Sequence, residues 1–256
     1  SLDIECYSES NNFPNADNEN DVLFQIAMTT KVYGTDVVYR KCLSLGRAEN
    51  ADCFKCEREL LTAWTEYLHE IDPDIITGWN IFGFDLEYIY KRMVINKCEP
   101  ATFYMGRKIE TASDIVMKNL SSGALGSNVL KMLPMPGRYI FDLFQIIKAE
   151  HKLESYSLNN VSQEFLGDKK VDMPIRDMFD VYRNSGDLTR VAEYCIKDTE
   201  LPIKLMDKLY TIENLVEMAK ATWVPLNFLS ERGQQIKVFS QIAKKARELN
   251  FMIPTL

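Results

Sequence analysis

A chain of 256 residues, 46% hydrophobic and 11% aromatic, can bury a substantial core without disulfides or a structural metal. Its net charge of −7 excludes a broad basic surface as the source of binding and leaves nucleic acid open only through a groove filled by metal ions. The six cysteines lack secreted-scaffold spacing, which favours free thiols in a reducing compartment, and no run approaches the ~20 apolar residues of a membrane span.

The chain opens at Ser1 without a methionine, inside a strand-like stretch at 2–7, and reads as excised from a longer polypeptide. Residues 22–33 and 35–43 are rich in β-branched and aromatic side chains and meet at Gly34, which predicts a hairpin and three antiparallel strands. Cys53 and Cys56 form a C-x-x-C, but no second pair at suitable spacing completes a zinc site. From Glu57 to Ile71 the apolar positions Leu60, Leu61, Trp64, Tyr67, Leu68 and Ile71 follow helical spacing, and Pro73 ends the helix.

A short strand at Asp74–Trp79, a turn at Asn80–Gly83 and a helix from Phe84 to about Asn96 continue a β-α-β-α progression, so the fold class is α/β. Residues 118–138, with Ser121, Ser122, Gly123, Gly126, Pro134, Pro136 and Gly137, predict a loop or exposed hairpin before a strand at Tyr139–Leu143. Helices are expected at 143–151, 157–166, 176–184, 187–209 and 227–249, the 187–209 helix interrupted by Pro202. From about 211 onward the chain reads as a helical exit.

Three patterns carry chemistry. Asp3-Ile4-Glu5 alternates, so on a strand both carboxylates leave one face while Ile4 enters the core on the other. Alone, such a pair is more often a solvated strand end. Asn80-Ile-Phe-Gly-Phe84-Asp85 places an acid in the first turn of a helix, where the positive dipole end favours its ionised form. Tyr194 and Asp198 lie four apart on a helical segment and so share a face; alone they suit a half-buried aromatic beside a surface acid. The three together, in this order, are not expected by chance.

These residues resemble the three exonuclease motifs of family B DNA polymerases, the tyrosine type of the four-carboxylate exonucleases. Asp72-Pro-Asp-Ile-Ile-Thr-Gly-Trp-Asn80, Gly137-Arg-Tyr-Ile-Phe-Asp-Leu143, Leu153-Glu-Ser-Tyr-Ser-Leu-Asn159 and Arg232-Gly-Gln-Gln-Ile-Lys237 are similar to the eukaryotic delta-type branch and its large-DNA-virus relatives. The resemblance implies a ribonuclease-H-like mixed sheet flanked by helices. It divides the chain into an exonuclease domain at 1–210 and a helical connection at 211–256, leading to a palm domain outside this chain. Trp223-Val-Pro-Leu and Ile253-Pro match that connection.

Carried over by position, Asp3 would bridge two divalent ions, Mg²⁺ or Mn²⁺, Glu5 and Asp198 would complete the first ion's shell, and Asp85 would serve the second. Tyr194 would orient the attacking water. Asn80, Phe84, Ser157 and Leu158 match strand-contacting positions, although Ser157 equally suits a helix N-cap. The implied partners are DNA, single-stranded or frayed at a 3′ primer end, and the remainder of the same polymerase chain, with processivity factors left open. The implied setting is the nucleus or a viral replication site.

Carboxylates are the ligands such chemistry needs, because Mg²⁺ and Mn²⁺ are hard ions that prefer oxygen. No later pair of aspartates flanked by strand residues follows, so nucleotide addition is not expected of this chain. Two rival readings are a free-standing nuclease of the same class acting on DNA or RNA ends, and a catalytically silent copy kept as a structural module. Against the first stand the family stretches outside the motifs; against the second, the presence of all four carboxylates and Tyr194.

Overall fold

The computed structural model describes residues 1–122, 126–168 and 173–254. Strands β1 (Leu2–Cys6), β2 (Leu23–Lys31) and β3 (Val38–Leu45) form an antiparallel meander, and β4 (Asp52–Phe54) adds a short parallel edge beside β3. On the other side of β1, β5 (Ile75–Ile76) runs on into a parallel bridge between Leu2 and Gly78, sealed by the Leu2 N–H to the Thr77 carbonyl at 3.0 Å. Beyond β5 lies β8 (Tyr139–Ile140), again parallel. The sheet is therefore mixed, with β1 at its centre, as the ribonuclease-H-like expectation requires.

Alternation sends the side chains of the sheet to two cores. Leu2, Ile4 and Cys6 pack with Leu60, Leu61 and Trp64 of α1 (Glu57–Ile71) and Leu86, Ile89 and Met93 of α2 (Asp85–Ile95). Phe24 and Cys42 turn the other way, toward Met178 of α5 (Ile175–Asn184) and Val191 and Ala192 of α6 (Thr189–Leu209). Both faces of the sheet are thus covered by helices. The register of β1 on β2 shifts between Glu5 and Cys6, where Phe24 is the extra residue on β2. That bulge lets Phe24 and Gln25 both face α6, and the Gln25 side-chain N–H₂ bonds the Leu188 carbonyl at 3.3 Å.

A third cluster joins Phe141, α3 (Leu143–Glu150) and α4 (Leu158–Leu166) to Leu201 and Leu205 of α6. A single 3₁₀ turn, Pro100–Phe103, follows α2. The insertion expected at 118–138 is a hairpin rather than a loop, β6 (Val116–Ser122) with β7 (Gly126–Met132); Gly123 lies outside the described residues. The chain ends in α7 (Thr211–Thr222), α8 (Leu226–Glu231) and α9 (Gln235–Glu248). No described helix is long and apolar enough to cross a membrane.

Four expectations are corrected. The first hairpin turns over residues 32–37, not at Gly34 alone, because the Val32 N–H bonds the Val37 carbonyl and the loop holds Gly34 at φ 74°. The helix expected at 227–249 is two helices, broken where Arg232 is extended at φ −129°. The strand expected through Leu143 stops at Ile140, since Asp142 caps α3. Helix α6 runs unbroken through Pro202, which is buried.

Candidate active site

Three elements deliver the acidic residues. Asp3 and Glu5 leave the α6 side of β1, next to the bulge; Glu5 is buried and Asp3 half-buried. Asp198 sits on α6, which is fastened across β2 by a buried hydroxyl pair, Thr29 to Thr199 at 2.7 Å. Tyr194 precedes Asp198 by one turn of the same helix and is half-buried. Asp3, Glu5, Tyr194 and Asp198 line one cleft of about 240 Å³.

Asp85 arrives by a different route. Strand β5 leaves β1 after Gly78, and Asn80, at φ 63°, turns the chain so that α2 begins at Asp85 beside the uncovered edge of β1. The Asp85 carboxylate is buried and accepts backbone hydrogen bonds from its own N–H and from Ile4, the residue between Asp3 and Glu5. Burial pushes its carboxyl up to about 7, against those N–H groups and with a further upward push from the charge of Asp142. All four predicted carboxylates are therefore drawn to β1.

Sequence reasoning missed one member of this group. The Cys195 thiol donates to the Asp3 carboxylate at 3.6 Å and to the Asp3 carbonyl at 3.7 Å, and one ligand atom each from Asp3, Glu5 and Cys195 lie within 4.8 Å of one another. Burial and the charges of Asp3 and Glu5 raise the thiol's pKa well above its ordinary range, so it stands as a neutral donor. Its position between Tyr194 and Ile196 on α6 held no signal of this contact. Among the described residues, the polar side chains that line the cleft are those of Asp3, Glu5, Tyr194 and Asp198, and the three carboxylates suit a hard divalent cation.

The cleft also has an apolar wall. Phe84 lies over it, with ring centroids 5.1 Å from Phe13 and from Tyr88, and Pro14, Met173, Ile175 and Met178 complete the rim. Phe13 is 71% exposed. Of the other predicted contact positions, Asn80 lies in the turn before α2. Ser157 is the N-cap of α4 and accepts the Asn160 N–H at 3.2 Å, and Leu158 is buried among Phe141, Leu143 and Val161. None of these three is among the described residues lining the cleft. Cys53 and Cys56 are exposed free thiols.

Residues 1–161 match the family described as DNA polymerase family B, exonuclease domain. The chain belongs to this family. A family B exonuclease domain is thus what the α/β sheet and the acidic cleft compose, and the family's dependence on divalent metal agrees with the carboxylates found. The chain is 40% identical to the DNA polymerase delta catalytic subunit of Caenorhabditis elegans over 100% of its own length and 24% of that protein. It is 41% identical to the delta catalytic subunit of Dictyostelium discoideum, covering 100% of this chain and 24% of the relative. With the DNA polymerase of Paramecium bursaria Chlorella virus NY2A it shares 35% identity over 99% of its length and 29% of the viral protein. The family B exonuclease domain here spans about a quarter of the length of these curated relatives.

Proposed function

We propose that this chain hydrolyses the 3′-terminal phosphodiester of DNA and serves a DNA-directed DNA polymerase, a nucleotidyltransferase, as its proofreading site. The observation that carries the reading is that Asp3 and Glu5 from β1 and Asp198 from α6 line one cleft walled by Phe13, Pro14 and Phe84, while Asp85 at the start of α2 accepts from the Ile4 N–H between Asp3 and Glu5. Asp3, Glu5 and Asp198 would hold one divalent ion, Mg²⁺ or Mn²⁺, and Asp3 with Asp85 a second. Two such ions, when bound, supply the positive charge that activates water and stabilises the leaving oxygen.

The chain's own residues do the rest. Tyr194, one turn from Asp198, would orient the attacking water through its hydroxyl. Phe84 and Phe13 offer ring faces on which a frayed base stacks without its sequence being read. Asn80, Ser157 and Leu158 enter as strand-contact positions through the family resemblance alone. A net charge of −7 repels phosphate until cations fill the cleft, so binding to DNA and binding of metal go together.

Residues 211–256 fit a connection toward a palm domain. Helices α8 and α9 contain no buried residue among those described, and Trp223, Val238, Phe239 and Ile242 are all more than half exposed. The relatives match this stretch too, which supports a polymerase rather than a free-standing nuclease. The setting that follows is a nucleus or a viral replication site.

A primer labelled at its 5′ end, with a matched or mismatched 3′ terminus, tests the reading on a sequencing gel. Shortening from the 3′ end, faster for the mismatch because it frays more readily, and abolished by EDTA, is the expected result. Cleavage that survives EDTA, or a wild-type rate in Asp3→Ala, sinks it.

A further inference from the structure

The Asp142 side chain, 1% exposed, lies at the junction of β8 and α3. Three backbone N–H groups converge on its carboxylate, Asn80 at 2.9 Å and Phe144 at 3.0 Å on Oδ1 and Phe82 at 3.1 Å on Oδ2. The Phe144 bond is the N-cap of α3. The other two come from far upstream, inside the turn that ends β5 and starts α2.

That turn closes on itself through the Gly83 and Phe84 N–H groups, which both donate to the Asn80 carbonyl, at 2.8 and 3.2 Å. Ile81 and Phe82 pack in the core, but the described backbone bonds from the turn to the rest of the protein are few. The Lys131 N–H bonds the Phe82 carbonyl at 3.1 Å, the Leu143 N–H bonds the Gly78 carbonyl at 3.2 Å, and Asp142 takes the two N–H groups that face inward. Phe84 and Asp85 are the next residues along the chain. Where the turn is pinned decides where they emerge.

We propose that Asp142 is a positioning residue of the hydrolytic site: by gathering the Asn80 and Phe82 N–H groups, its carboxylate holds the 78–84 turn in the geometry that delivers Asp85 to β1. The inference rests on the reading of Asp85 as a metal ligand. Asp142 does not line the cleft among the described residues, so it acts through the turn. An amide is not equivalent. The Oδ1 of an asparagine still accepts from Asn80 and Phe144, but its Nδ2 faces the Phe82 N–H, donor against donor. A serine keeps the α3 cap and gives up both bonds to the turn.

The test is direct binding of Mn²⁺ to the full chain, followed by electron paramagnetic resonance, beside single-turnover hydrolysis over a range of Mn²⁺ concentrations. Asp142→Asn should weaken Mn²⁺ binding roughly 10-fold, as loss of an outer contact to a ligand does. It should raise the half-activating Mn²⁺ concentration by the same factor and leave KM for a single-stranded oligonucleotide unchanged at saturating Mn²⁺. Asp142→Ser should do the same with α3 still capped, and it decides the matter if the asparagine variant does not fold. Lower thermal stability with wild-type Mn²⁺ binding overturns the proposal, and so does failure of both variants to fold, because the role would then belong to the fold and not to the site. Asp85→Asn separates the two readings: a wild-type response there removes Asp85 as a ligand, whereas an inactive Asp85→Asn beside a silent Asp142→Asn overturns only the positioning role.

Discussion

Arg92 grips Glu57 through two parallel bonds, Nε to Oε1 at 2.8 Å and Nη2 to Oε2 at 2.7 Å, with both side chains buried. The same guanidinium donates to the carbonyls of Ala16, Asn18 and Glu19, so it clamps the loop after β1 that presents Phe13 and Pro14 to the cleft. Removing one partner strands a buried charge. Arg92→Met should cost about 3–5 kcal/mol, read by urea unfolding, and Arg92→Met/Glu57→Gln should recover part of it, because the amide oxygen can still accept the Leu23 N–H. A single variant as stable as wild type would show that the pair does not anchor the loop.

Titration of Asp85 gives a second expectation. Burial holds its folded pKa at about 7, above an unfolded value of about 3.9. Between those values the folded chain keeps a proton that the unfolded chain has released, so this group makes the metal-free protein lose stability as pH rises from about 4 to about 7, with no further loss above. Asp85→Asn should lack that component. The stability difference between wild type and variant in EDTA, measured across that window, should therefore move against the wild type with rising pH. A flat difference contradicts burial of an ionisable group there. Mn²⁺, which binds the ionised form, should bind more tightly as pH rises through the same window.

The contact of β1 with β5 can be tested at Gly78. A Cβ there would meet the Leu2 carbonyl oxygen at 2.5 Å and Ile81 Cγ2 at 2.4 Å. The methyl of Ile81 can shift, but the backbone of β1 cannot give way without moving Asp3. Gly78→Ala should cost about 1–3 kcal/mol through overpacking and lower hydrolysis beyond what the remaining folded fraction explains. Full activity per folded molecule would show that β1 tolerates displacement.

These tests also mark where sequence reading reached and where it stopped. Helix α1 was legible over its full span because Leu60, Leu61, Trp64 and Leu68 repeat at helical spacing and are all buried. The Asp3-Ile4-Glu5 alternation was legible for the same reason, since a strand's period of two needs no partner to be seen. Strand β4 was not, being three residues long and paired only through β3. Pro202 misled because its cost is local while the packing of α6 against β2 is not. Asp142, Cys195 and Phe13 act through residues distant in the chain, and no local pattern announces such contacts.

Tyr194 and Asp198 share one face of α6 yet should fail differently. Tyr194→Phe removes a hydroxyl and no charge, so the rate should fall roughly 10–100-fold with Mn²⁺ binding intact. Asp198→Ala takes away a ligand oxygen, and a loss of several kcal/mol of charge stabilisation corresponds to about a thousandfold or more in rate. Single-turnover rates with Mn²⁺ titrations on both variants distinguish the two. Equal losses, with equal loss of Mn²⁺ binding, would make Tyr194 part of the metal site rather than a guide for water.

The aromatic wall should govern hold on the strand and not the chemistry. Phe84 and Phe13 meet at 5.1 Å, one at the start of α2 and the other on the loop clamped by Arg92, so the pair spans two independently anchored elements. Stacking of a base on such a ring is worth about 1–3 kcal/mol, roughly 5- to 150-fold in affinity. Phe84→Ala should raise KM for a single-stranded oligonucleotide within that range, while the Mn²⁺ concentration for half-activation stays where it was. Phe13→Ala should give a smaller effect in the same direction, because Phe84 keeps Tyr88 as a neighbour at 5.1 Å when Phe13 is gone, whereas Phe13 loses the Phe84 ring that backs it when Phe84 is removed. Fluorescence anisotropy of a labelled oligonucleotide in Ca²⁺, set beside the kinetic KM, separates ground-state binding from turnover. A lower rate at saturating oligonucleotide with unchanged affinity would mean that the wall acts on the reacting phosphate, and the stacking role would fall.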